Sequence, residues 1–112
     1  MTVVAFSLAR FTPADLREFY NIADPRLARG LWESVSRQTG PDFDRLQVRL
    51  PSIPRAVFSF ERDRRGRYTL LFNDSHGWHG IGSGNTAAEC LTIWRTRAAK
   101  PPQAAGTVET AS

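Results

Sequence analysis

A chain of 112 residues with 41% hydrophobic content is the size of one domain, and it can bury a core without disulfides or structural metals. One cysteine, Cys90, excludes an intramolecular disulfide framework and suits a reducing compartment. The first residues show neither a basic lead nor a secretory apolar run, and no apolar run reaches the roughly 18 residues of a membrane span, so a cytoplasmic protein is expected. The formal net charge is +4, and 14 of the 15 basic residues are arginine, the side chain best built for bidentate contact with carboxylate or phosphate. Residues 45–67 supply the whole excess: seven arginines stand there against Glu61 and Asp63, while the flanking segments are close to neutral.

Residues 2–11 are apolar enough for a short strand or an ordered lead-in. Thr12-Pro13-Ala14-Asp15 follows as a helix start: a capping hydroxyl, a proline in the first turn and an acid at the positive helix end. Leu16, Phe19 and Tyr20 give that helix one apolar face. Asp24-Pro25 repeats the signal and predicts a second helix, with Leu27, Ala28, Leu31, Trp32 and Val35 as its stripe and Gly30 as an unfavourable interior residue. Gly40-Pro41 closes it. Residues 41–54, interrupted by Pro41, Pro51 and Pro54, read as a connector tacked to the core by Phe43, Leu46, Val48 and Leu50.

From Ala56 the pattern alternates. Residues 56–62 and 67–73 form a hairpin turning at Asp63-Arg64-Arg65-Gly66, with Gly66 at positive φ. Asn73 to Gly77 is a second turn, and Trp78 to Gly82 a third strand. Thr86-Ala87-Ala88-Glu89 has the spacing of a capping box, opening a helix that buries Ala87, Cys90, Leu91, Trp94 and Ala98. The predicted fold is therefore a small single-domain α+β structure in the order α-α-β-β-β-α, an antiparallel three-stranded meander packed on helices. It occupies residues 1–100 and is followed by a disordered tail over 101–112.

The chemistry that composition and spacing allow is sparse. His76 and His79 with Asp74 are metal-ligand types, but strand alternation sends the two imidazoles to opposite faces and no further ligand follows, so no metal site is read. Cys90 falls on the apolar helix face, where a thiol is inert. Ser83, Gly84, Asn85 and Thr86 form a glycine-containing turn before a helix, a candidate anion-binding turn, although the spacing matches neither a dinucleotide nor a P-loop fingerprint. Trp78 and Ile93 are candidates for a partner-facing patch. The leading candidate site is the guanidinium cluster Arg62, Arg64, Arg65 and Arg67 on the first hairpin.

The segment from Tyr68 to about Ala99, strands followed by a glycine-containing turn and a helix, resembles in arrangement the double-stranded-RNA-binding domains. Gly84-Asn85-Thr86-Ala87-Ala88-Glu89 resembles the Gly-x-Thr-x-x-Glu stretch after a hairpin in HicB-type antitoxins. The RNA-binding family carries lysines at that helix start; this chain has Asn85, Thr86, Ala87 and Ala88 there. With no reactive constellation and no cofactor fingerprint, the sequence reads as a non-enzymatic regulatory or inhibitory protein. Its expected partner is an acidic protein surface or a ribonucleoprotein, a profile shared by small phage or mobile-element inhibitors of bacterial defence. Direct DNA or RNA binding through the same arginines is the alternative.

Overall fold

The computed structural model describes residues 9–99, and for 96–99 the backbone alone. Its first helix, α1 (Pro13–Ala28), begins as the sequence indicates. The Thr12 hydroxyl accepts from the Asp15 amide at 3.1 Å, and the Asp15 carboxylate accepts from the Thr12 amide at 2.9 Å. Pro25 does not start a new helix but sits inside this one. It withholds one N–H from the carbonyl of Asn21, an exposed residue whose turn water can reach.

The helix stops at Gly30, which takes φ +74°. The Gly30 amide donates to the Leu27 carbonyl and the Leu31 amide to the Arg26 carbonyl, the paired bonds of a Schellman end. The predicted second helix through residues 24–40 is therefore absent, and the chain leaves α1 extended. Ser34–Gly40 becomes strand β1, and the segment read as a connector supplies strand β2 (Phe43–Arg49). Three more strands follow: β3 (Ala56–Asp63), β4 (Tyr68–Asn73) and β5 (Trp78–Gly84). The expectation of three strands and two leading helices is thus overturned. One helix precedes a five-stranded antiparallel sheet in the order β1-β2-β3-β4-β5, and two short helices, α2 (Ala87–Cys90) and α3 (Thr92–Ala99), close the described chain. The β3–β4 hairpin lies where the alternation placed it, and the strand read after the second turn, over 78–82, runs on to Gly84 as β5.

Alternation gives the sheet two unlike faces. On the helix side, register aligns Val35, Val48, Phe58 and Phe72 in one row and Leu46, Phe60 and Leu70 in the next. Phe19, Ile22 and Trp94 from the helices and Leu91 between α2 and α3 join these rows in one buried cluster. Phe60 is its centre: its ring stacks on Phe11 at 4.9 Å, Phe19 at 5.6 Å and Tyr68 at 5.9 Å between centroids. The other face is mostly polar. Gln38 pairs with Gln47, Ser59 donates to Glu61, and Arg45 stacks 4.1 Å over Phe43. Arg45 Nε lies 3.2 Å from Glu61 Oε2 but off the axis of a hydrogen bond, so that contact is one of charge. No described helix is long and apolar enough to cross a membrane.

Candidate interaction site at the hairpin tips

In an antiparallel meander alternate turns fall at the same end of the sheet. Pro41-Asp42 joins β1 to β2, and residues 64–67 join β3 to β4; the ion pair between Arg64 and Asp42, 3.1 Å, shows the two tips side by side. The β3–β4 turn is held from within. Gly66 takes φ +78°, its amide donates to the Asp63 carbonyl, and the Asp63 carboxylate accepts from the amides of Arg65 and Arg67. The turn thus uses its one acid, Asp63, on backbone, leaving the guanidiniums outside it.

The four predicted arginines do not sit in one cluster. Arg62 shares the inward row with Asp44 and Tyr68. Its guanidinium donates to the Arg10 carbonyl, lies 3.7 Å from Asp15 and sits 5.6 Å from the Tyr68 ring centre. It fastens the α1 start to the sheet. The other three face solvent: Arg64 with its Asp42 pair, Arg65 with no carboxylate partner among the described residues, and Arg67 with its guanidinium 3.4 Å from both Ser83 Oγ and Asn85 Oδ1. Asp42, Asp63, Arg64 and Arg65 enclose a shallow hollow of about 200 Å³ between the tips.

The candidate anion-binding turn lies next to this group, and its own chain already takes the Asn85 amide. The Thr86 hydroxyl accepts from the Glu89 amide, and the Glu89 carboxylate accepts from the Asn85 amide at 2.8 Å. Only half of the expected capping box forms at Thr86 itself; the carboxylate reaches one residue further back. The glycines serve packing. A β-carbon on Gly82 would lie 2.5 Å from the Cys90 carbonyl oxygen, and one on Gly84 2.5 Å from the Glu89 side chain, so α2 rests directly on β5.

The remaining candidates resolve simply. His79 Nε2 lies 2.9 Å from Asp74, while the other Asp74 oxygen accepts from the His76 amide. No group of three ligating side chains gathers among the described residues. Cys90 is buried, and that burial pushes its thiol up to about 12, far from a thiolate at neutral pH. Trp78 is 40% exposed, whereas Ile93 packs against the core.

Sequence reasoning missed the polar lock beneath the tips. Asp44 is fully buried on β2, accepting from the Phe11 amide at 2.8 Å and from Arg37 at 3.0 and 2.5 Å. Burial pushes its carboxyl up, but the Arg37 hydrogen bonds, the Phe11 amide and the charges of Arg37 and Arg10 outweigh it and hold the group below its usual range. Tyr68 donates to Asp15 at 2.7 Å; burial first, then that bond and the Asp15 charge, push its hydroxyl up to about 12. Asp44 and Asp15 thus pin the residue 10–15 segment onto the strands that carry the tips. Compared with protein-family models, curated proteins and solved structures, the chain matches none of them.

Proposed function

We propose that this protein is a non-enzymatic regulatory or inhibitory binding protein that docks on an acidic protein or ribonucleoprotein surface through Arg64, Arg65 and Arg67. One observation carries the reading: three guanidiniums stand at one end of the sheet on a turn that its own aspartate makes rigid, with Asp42 the one carboxylate paired to them among the described residues. A rigid turn lowers the ordering cost of binding, and arginine is the charged residue most often retained at interface centres. Arg62 is not part of this surface.

A second reading, direct binding of DNA or RNA, is favoured by the grouping of Arg67 with Ser83 and Asn85, which adds a hydroxyl and an amide beside the guanidinium. One experiment separates the two. The wild type and an R64A/R65A/R67A variant are used as baits in lysate of the native host, with and without nuclease, and in gel shifts across salt. The proposal expects a nuclease-resistant specific protein partner lost in the variant. Equal capture by both baits overturns it. A salt-steep gel shift that the variant lacks, with no protein partner, supports the nucleic-acid reading instead.

A further inference from the structure

At the opposite end of α1 lies a second surface that the tips do not explain. The last turns of α1, the residue 29–33 link and the start of α3 border an open groove of about 510 Å³, within the ~300–1,000 Å³ range of small-ligand sites. Its apolar wall is Ile22, Leu31 and Trp94, and its charged wall is Arg26, Arg29 and Arg95; among the described residues no carboxylate lines it. Each wall is fixed by the fold. Arg26 donates to the Ile22 carbonyl at 2.8 Å and its guanidinium stands 5.7 Å from the Trp32 ring centre. Burial, then the charge of Arg29, lowers the Arg26 pKa, so like charges crowd one another there. Arg95 is steadied by Glu18, outside the groove. The Schellman end at Gly30 holds Leu31 by its amide, and the side chain remains 56% exposed, the most exposed large hydrophobic of the described chain.

We infer that this groove docks a partner's peptide segment in which an apolar side chain is flanked by carboxylates. The apolar wall argues for a side chain to seat between Leu31 and Trp94, and the arginine wall, where Arg26 and Arg29 have no carboxylate partner among the described residues and Arg95 is paired with Glu18, argues for acids on either side of it. Trp and Arg together are also the residue types that dominate binding hot spots. The site is separate from the hairpin tips and stands or falls independently of them.

The test uses the full chain labelled with ¹⁵N and methyl ¹³C, titrated with a blocked heptapeptide of glutamates around a central leucine. A matched peptide with glutamine in place of glutamate, and a ten-nucleotide oligothymidine, serve as comparison probes. Saturable shifts centred on the Leu31 methyls and the Trp94 indole are expected, with at least tenfold weaker binding of the glutamine peptide. R29E and L31A, both at exposed positions, should each weaken binding at least tenfold while leaving the Trp32 indole signal in place. R64A/R65A/R67A should bind the peptide as the wild type does. Shifts centred on the hairpin tips, equal binding of the two peptides, tighter binding of the oligonucleotide in the groove, or no saturation at millimolar peptide would overturn the inference. So would concentration-dependent shifts of Leu31 without peptide, which would assign the groove to a second copy of the chain.

Discussion

A carboxylate with no solvent contact holds its charge only if its oxygens are filled. Both Asp44 oxygens are taken by Arg37, and one also accepts the Phe11 amide. Removing the carboxylate leaves a charge and a buried N–H unpaired. Because Arg37 is 41% exposed, Asp44→Ala is expected at the low end of the range for broken buried pairs, about 2–4 kcal/mol, read as a urea-midpoint shift. The sign with pH follows from the lowered pKa. Stability from this group is full above the ordinary carboxylate pKa of about 4 and is lost as pH falls through the folded value. Urea midpoints between pH 5 and pH 2.5 should fall less in Asp44→Asn than in the wild type. Tyr68 acts in the opposite direction: raised from 10.0 to about 12, it stabilises below pH 10, and that contribution disappears as pH rises through 12. Tyr68→Phe should flatten that alkaline loss while costing roughly 1 kcal/mol at neutral pH for its bond to Asp15. In the sequence Asp44 was hidden by its neighbours. Prolines at 41, 51 and 54 made the segment look like a connector, and a lone acid at an inward strand position is indistinguishable from a solvated one until its partner, seven residues upstream, is known.

At the scale of elements, two glycines decided what could be read. Gly66 sat between two alternating runs, where only a hairpin turn uses a positive φ, and the β3–β4 pair was legible. Gly30 sat within a helically spaced apolar stripe, and the spacing of Leu27, Leu31 and Val35 concealed that it ends α1. The error propagated: with residues 34–40 assigned to a helix, β1 and the pairing partner of β2 had no place, and the alternation of Asp44, Leu46 and Val48 went unused. The glycines of β5 carry a testable distinction of their own. Gly82→Ala puts a methyl group against the Cys90 carbonyl oxygen and must lift α2, at a cost of roughly 1–3 kcal/mol. Gly80→Ala meets nothing within 4 Å and replaces a flexible strand residue, so it should be neutral or stabilising by up to about 1 kcal/mol. Thermal unfolding of the two variants side by side checks the contrast. Equal effects would mean that α2 does not rest on β5 as described.

For the molecule as a whole, the excess of positive charge in residues 45–67 was plain from composition, but its direction depends on strand parity. Arg62 follows Phe58 and Phe60 at two-residue spacing, so the alternation itself places it on the core side, whereas Arg64, Arg65 and Arg67 belong to the turn and its exit. The same residue type therefore stands in two environments within six positions, and stability separates them. R64A/R65A/R67A removes side chains whose described contacts are solvent-exposed, and its unfolding free energy should stay within about 0.5 kcal/mol per site of the wild type. Arg62→Ala frees Asp15 of its nearest cation, removes the bond to the Arg10 carbonyl and uncovers the Tyr68 ring. With the Arg62 side chain 26% exposed, the loss is discounted from the fully buried case to about 1–3 kcal/mol. The order of urea midpoints, Arg62→Ala below the triple variant, is the decisive reading. A reversed order would put the tip arginines inside the fold's own charge balance and leave no free cationic surface at that end. The expected order leaves the tips free to be altered without loss of the fold, as a test of binding requires.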